Sequence, residues 1–360
     1  MADTTAATGL TVQQWDSKFF KEYLSQNRFK PYMGTNENAI IQVKEDLTKK
    51  KGDKITYALV NRLAGAGVTG TATLEGNEEA LDSRSHYVTV DKLRHGVRVA
   101  EMEEQKSAIP LRNAAKSVLK DWIMEKTRDD IIAALGSING VAYGTATETQ
   151  KDAWLVDNAD RVLFGAVKSN NAANDHSAAL ANIDNTADQL TPDAISLMKR
   201  MALTASPKIR PIRTTEDERW FVMFANSMAF RDLKTHATIT QAQREALNRG
   251  MKNPLFTGGD LMWDGVIIKE IEDIPILSGV GAGSIDVAPV YMCGAQSIGM
   301  AWAKRTKSAT EKFDYGDKMG VAIEEIRGIE KLTFGSGSGD TDDLKDHGVF
   351  TGYFAAVADS

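Results

Sequence analysis

Apolar and polar positions alternate along Lys54-Ile-Thr-Tyr-Ala-Leu-Val60, the period of a half-buried strand. A second strand is predicted at His86-Tyr-Val-Thr-Val90, continuing through His95-Gly-Val-Arg-Val99. Asn61–Leu81, between them, is polar, dotted with glycine, and too poor in large apolar residues to build a core. A two-stranded ribbon is marginal alone in water. Long structureless connections inside compact domains are rare unless they serve a function. Residues 52–99 therefore read as an arm that leaves its own domain and becomes ordered against a neighbouring subunit. Such a chain reads as an assembly component rather than a catalyst.

The periodicity then changes from two to 3.6. Leu111, Ala115, Val118, Leu119, Trp122 and Ile123 fall on one helical stripe, which Ile132 and Leu135 resume. Ser107 is the expected cap, Pro110 fits the first turn and Gly136 the stop. The result is a rod of roughly 40 Å. Upstream, a short helix is expected at Val12–Ser25, followed by a polar connection over 27–53 with a solvated basic patch at Lys49–Lys51. Residues 137–190, rich in Asn, Ala, Gly and Asp, read as mostly irregular, with an apolar island at Arg161–Val167.

Thr191-Pro192 opens a helix to about Leu203. Further helices are expected near Ser227–Thr235 and Thr240–Arg249, with strands at Trp220–Ala225 and Gly265–Ile271. A strand at Pro289–Cys293 runs into a helix at Ala295–Lys304. Val321–Ile329 and Val349–Val357 close the chain, with a flexible joint at Gly335–Gly339. Helices and strands alternate without the rhythm of a doubly wound sheet, so the class is α+β.

At 360 residues the chain can bury two sizeable cores. Its one cysteine, Cys293, excludes an intrachain disulfide framework and a cysteine-built metal site. The N-terminal residues lack the pattern of a secretory signal and no apolar run reaches membrane-spanning length, so a cytosolic origin is expected. A net charge of −6 argues against a nucleic-acid binder, and suits a protein that stays beside nucleic acid without sticking to it.

Chemistry is sparse. Gly65-Ala-Gly-Val-Thr-Gly70 matches G-x-G-x-x-G, but the glycines and β-branched residues that follow do not predict the helix a dinucleotide site needs. His86, His95, His176, His236 and His347 share no metal-ligand spacing; His86 and His95 are expected to face solvent or a partner, and His176 to sit in a polar loop. The paired acids Asp129/Asp130, Glu324/Glu325 and Asp342/Asp343 read as solvated surface. Cys293 reads as a small buried residue. The scattered tryptophans Trp15, Trp122, Trp154, Trp220, Trp263 and Trp302 suit cores and interfaces.

The order of parts resembles the tailed-phage major capsid proteins of the Hong Kong 97-type fold. Asn38–Lys44, Leu63–Gly70, Leu74–Ala80, Asp91–His95 and Tyr315–Lys331 are similar to the family named after the coliphage N-four. The resemblance implies an N-terminal arm (1–51), an E-loop hairpin (52–99), and a spine helix with part of a peripheral domain (100–189). It further implies axial-domain segments at 190–261 and 288–335, with peripheral-domain strands at 262–287 and 336–360. Inter-subunit contacts would fall on Arg62, Gly65, Gly67, Gly70, Leu74, Glu75, Glu78, Glu79, Asp82 and Arg84 of the E-loop. In the N-terminal arm they would fall on Trp15, Phe19, Phe20 and Tyr23.

The implied function is a structural one: hexamers and pentamers closing an icosahedral shell around double-stranded DNA, in a virion assembled in the host cytoplasm. It implies no catalysis, cofactor, metal or membrane. Partners would be further copies of the chain, a scaffold, a portal, a decoration protein, and packaged DNA held by weak non-specific proximity. The fold's founding member cross-links its subunits through an E-loop lysine. Arg62–Ser85 holds no lysine, so that bond is not expected here. The shorter segment before the E-loop points to a separate scaffold. Two alternatives stand beside this reading: an encapsulin-like compartment shell, and a nucleotide-binding enzyme using Gly65–Gly70.

Overall fold

The computed structural model describes residues 28–48, 52–63, 65–81, 83–107, 109–213, 218–246, 261–336 and 341–356. The expected helix at Val12–Ser25, the patch at Lys49–Lys51, Asp82 and most of the Gly335–Gly339 joint lie outside the described residues.

One layer is a five-stranded sheet in the order β1 (Met33–Gly34), β2 (Ile41–Lys44), β12 (Ile298–Phe313), β13 (Lys318–Lys331) and β5 (Asp91–Ala100). The other is a seven-stranded sheet in the order β6 (Val162–Phe164), β16 (Val349–Ala355), β11 (Val287–Cys293), β8 (Arg219–Ala225), β10 (Val266–Glu270) and β9 (Leu261–Trp263). In it, β7 (Ile212–Arg213) pairs off the path with β8. Two hairpins complete the strands: β3 (Lys54–Val60) with β4 (Ser83–Thr89), and β14 (Thr333–Ser336) with β15 (Asp342–Asp346).

The seven-stranded sheet is buried on both faces, which is why its strands read as unbroken apolar runs. Phe221, Met223 and Ala225 of β8 point to one cluster, under helices α5 (Pro192–Thr204), α6 (Ser227–Thr235) and α7 (Ala237–Ala246). Val222 and Phe224 point to the opposite cluster, with Phe29, Ile40, Ile41, Tyr291 and Trp302. The 27–53 connection is therefore not merely polar: Phe29, Ile40 and Ile41 are core residues.

Helix α2 (Leu111–Leu135) is the expected rod, 25 residues and about 37 Å long. Leu119 and Ile123 pack on Val321 and Ile323 of β13, while Ile131, Ile132 and Leu135 enter the cluster between the two sheets. Ser107 does not cap it. Ser107 instead closes the preceding helix α1 (Glu101–Lys106), its N–H donating to the Glu103 carbonyl at 3.1 Å. Pro110 stands at the cap position. Gly136 ends α2 with a right-handed φ of −83°, so its left-handed freedom is not used. Space decides instead: a Cβ there would lie 2.7 Å from the Tyr291 hydroxyl.

Two expectations are corrected. Residues 137–190 are ordered, holding α3 (Glu148–Asn158), β6 and α4 (His176–Ala181) around Trp154, Leu155, Phe164 and Leu180. Their polar residues are caps and anchors: Thr147 and Gln150 form a capping box, Asp175 caps α4, and Asp188 accepts from the N–H groups of Ala166 and Asp184. Residues 298–304 are strand β12 rather than helix, because Ile298, Met300 and Trp302 face one cluster and Ala301 the other. β8, β10, β11 and β16 share one sheet, while β13 carries α2.

Candidate assembly interface

The arm is half anchored and half projecting. β3 and β4 pair in register from Lys54↔Thr89 to Val60↔Ser83. Their inward residues Ile55, Tyr57 and Val88 are buried against Ala301 and Leu332. The Tyr57 hydroxyl donates to the carbonyls of Gln42 and Met300, both at 3.1 Å. At Val90 the chain leaves the ribbon, and β5 pairs with β13 instead. The predicted continuation through His95–Val99 is thus a strand of another sheet, and the base of the arm is fixed by its own subunit.

Beyond Val60 the loop makes hydrogen bonds within itself. The Gly65 N–H donates to Glu79 Oε2 at 2.6 Å across the loop. The Gly76 N–H donates to Glu78 Oε2 at 2.7 Å, and the Asn77 N–H to the Leu74 carbonyl at 2.9 Å, closing the tip around Gly76 with φ +83°. Val60, Leu63, Leu74 and Leu81 are each more than half exposed, so the loop projects apolar side chains into solvent. Glu75 is also exposed. Arg62 and Arg84 stand at the root, lining with Lys208, Lys345 and the Ser206–Pro207 turn a groove of about 780 Å³. Arg84 also donates to the Gly335 carbonyl. Asp82 and the N-terminal Trp15, Phe19, Phe20 and Tyr23 lie outside the described residues.

A second surface escaped the sequence reading. α2 covers one face of the β5–β13–β12 sheet. Paired positions share a face, so register puts Lys92, Arg94 and Arg98 of β5 with Lys304 and Lys307 of β12 on the opposite one. The carboxylates Glu311 and Glu324 share this face, and Gly96, Gly320, Ala309 and Ala322 keep it flat. Hydrogen bonds from Lys304 and Lys92 hold the Glu324 carboxyl below the usual carboxylate range. The basic residues fall on even positions of β5, at 92, 94 and 98, and are split between distant strands, which is why composition hid them.

Other candidate chemistry resolves into structure. Gly65–Gly70 runs into an exposed turn with no helix behind it, so the geometry of a pyrophosphate site is absent from these described residues. His176 is not in a polar loop: it begins α4 and is 1% exposed, and burial lowers its pKa to about 4. His95 packs on Trp122, with ring centroids 4.6 Å apart and the planes tilted by 36°. His86 lies 3.3 Å from the Thr333 hydroxyl. Glu325 is buried with Arg327, which also reaches Asp130 at 2.7 Å, so these acids are not simple surface. Cys293 is buried as expected, and burial pushes its thiol up to about 12. No helix among the described residues is long and apolar enough to cross a membrane.

A family profile described as phage capsid protein matches residues 3–358. The chain belongs to the phage capsid protein family. It is 28% identical over 366 aligned positions to the major capsid protein of Pseudomonas phage KPP25, covering 95% of this chain and 94% of that one. The subunit in the cyanophage Pam1 capsid asymmetric unit superposes with a TM-score of 0.89 at 36% identity, over the full length of both chains. The capsid of Ralstonia phage GP4 shares the fold at 23% identity and a TM-score of 0.76, again over both full chains. The protein is thus a major capsid protein of a tailed phage, a self-assembling component of the virion shell and not an enzyme. A cellular-compartment shell is not favoured, since these relatives are phage capsids.

Proposed function

We propose that copies of this capsid protein form hexamers and pentamers of an icosahedral shell around double-stranded DNA, joined by the arm. The carrying observation is the projecting tip, which exposes Leu63, Leu74 and Leu81 beside Glu75, Glu78 and Glu79. The proposed receiver is the flat basic face of the next subunit, with Lys92, Arg94 and Arg98 opposite the tip carboxylates. Tip and receiver are different patches, so the contact is heterologous and closes into rings when the rotation allows. Each ion pair is weak in water, but repetition over many copies makes the sum large.

On this reading α2 with β5, β12 and β13 forms the peripheral domain and the seven-stranded layer the axial one. Scaffold, portal and decoration proteins would join the assembly in the host cytoplasm.

The test is electron microscopy of the purified chain with matched charge changes. Glu78→Lys/Glu79→Lys should lower the yield of closed particles. Adding Arg94→Glu/Arg98→Glu should restore part of it. Unchanged yield in the first variant would sink the role of the tip.

A further inference from the structure

A cavity of about 190 Å³ lies between the end of α2 and the β11–β16 part of the seven-stranded sheet. Strand register builds its floor. Pro289 of β11 pairs with Tyr353 of β16, and Tyr291 stands two positions on from Pro289, so these three side chains share one face. Ile132 and Gly136, one helical turn apart, close it from α2, and Tyr143 and Leu277 close it from the loops. Tyr291 belongs with Ile132 to the cluster between the sheets, whereas Tyr353 belongs to the cluster around Trp154 and Phe164. The cavity is thus a seam between two cores.

Its lining is apolar except at three points. Among the described residues no charged side chain lines it, and Pro275, Pro289, Ile132 and Leu277 form the walls. The phenol groups of Tyr143, Tyr291 and Tyr353 are the side-chain hydrogen-bonding groups among these lining residues. Tyr291 and Tyr353 are 4% and 3% exposed, and no hydrogen bond from the described residues reaches any of the three hydroxyls. The Tyr291 hydroxyl stands against Gly136 on the cavity wall. Burial raises all three pKa values, and the nearby phenols of Tyr143 and Tyr291 raise that of Tyr353 further. Each group therefore stays an O–H donor at neutral pH. A buried donor left without an acceptor is destabilising, which is why buried tyrosine hydroxyls ordinarily find a partner.

We propose that this cavity binds one small, neutral, ring-sized molecule with an acceptor oxygen, such as a cyclic ketone or ether, whose oxygen takes hydrogen bonds from the tyrosines. Size sets the first limit. An apolar cavity of about 150 Å³ admits a benzene ring, so this one holds a six-membered ring with its substituent. Charge sets the second, because an ion would lie against apolar walls with no counter-charge. The unpartnered donors set the third, because a plain hydrocarbon leaves them unsatisfied. The bound molecule touches both clusters at once and holds the end of α2 to the sheet, stabilising the subunit by mass action.

The test uses the full-length chain and three probes of similar size: cyclohexanone, the hydrocarbon toluene and the anion benzoate. Cyclohexanone should bind saturably, one molecule per chain, read by calorimetry and by a concentration-dependent rise in the unfolding midpoint. Benzoate should bind far more weakly. Tyr291→Phe and, separately, Tyr353→Phe each remove a donor and keep the ring. Each should weaken cyclohexanone by roughly 2- to 10-fold and leave toluene bound as tightly or more so. Neither hydroxyl has a partner to lose, so circular dichroism should be unchanged; should one variant unfold, the other carries the comparison. No saturable cyclohexanone binding at high millimolar concentration, a cyclohexanone affinity indifferent to the variants, equal losses of cyclohexanone and toluene, or benzoate binding as tightly as cyclohexanone would each overturn the proposal.

Discussion

Lys331 and Asp346 form an ion pair at 2.7 Å with both side chains 1% exposed. The Trp154 ring N–H donates to the same carboxylate oxygen at 3.2 Å, and Arg161 donates to the Asp346 carbonyl. Removing one partner of such a pair leaves a buried charge uncompensated. Asp346→Ala should therefore cost about 3–5 kcal/mol, read as a fall in denaturant midpoint. The double change Lys331→Met/Asp346→Leu should recover most of it. Neighbouring His347 carries a pH dependence. Burial, then the charges of Arg161 and Arg210, lowers its pKa from 6.5 to about 4. Above pH 6.5 both folded and unfolded chains keep it neutral and its contribution is full. As pH falls toward 4 the unfolded chain takes a proton that the folded chain refuses, so stability drops by up to about 3 kcal/mol. Unfolding midpoints between pH 7 and 4.5 should show this, with a smaller drop in His347→Gln. At this scale the sequence was readable where one residue acts alone. Thr191 caps α5, its hydroxyl accepting from the Ala194 N–H at 3.2 Å, and Cys293 lies inside a buried strand. Partnerships such as Lys331–Asp346 were not readable, since a lysine and an aspartate 15 positions apart look solvated until the fold joins them.

Element by element, the pattern succeeded where burial imposes a strict period. β8, α5, α6 and α2 stand close to their predicted spans because one face or both must be apolar. β12 was misread as a helix. Its small and apolar residues satisfy either period, and only the facing clusters decide. Residues 137–190 failed for the opposite reason, since their Asn and Asp do local hydrogen-bonding work that resembles loop composition. The candidate interface was legible in part. The arm and its glycine-rich tip were visible, whereas the anchored base and the basic sheet face depend on strand pairing. The arm's seat rests on one close approach, where the Thr89 carbonyl passes Gly328 and any Cβ there would sit 2.0 Å from it. Gly328→Ala should lift the ribbon from β13. Amide exchange in Lys54–Val60 should then rise several-fold, while β8 and β11 keep their protection. Unchanged exchange in the ribbon would show that the seat does not depend on this approach.

For the whole molecule, the two layers meet in the cluster of Ile131, Leu135, Phe224, Tyr291 and Trp302, so the subunit carries its own core without the projecting tip, which the proposed reading assigns to association. That separation predicts a salt effect on assembly without one on folding. Raising ionic strength shortens the Debye length from about 10 Å at 0.1 M to about 3 Å at 1 M. Particle yield by light scattering should decline over that range while the unfolding midpoint of unassembled subunits holds. A yield independent of salt would point to apolar contacts alone. The family was recognisable from the sequence because its arm and closing segments are contiguous. The division into layers was not, because each layer draws strands from distant parts of the chain.

Cys293 offers a practical consequence. It is the sole thiol of the chain, sealed in β11 and held protonated at neutral pH. An alkylating reagent can reach it only when that central strand opens. Labelling of Cys293 is therefore a clock for whole-subunit opening, readable by mass spectrometry inside intact particles, and fraying of the arm should leave it ticking at the same rate.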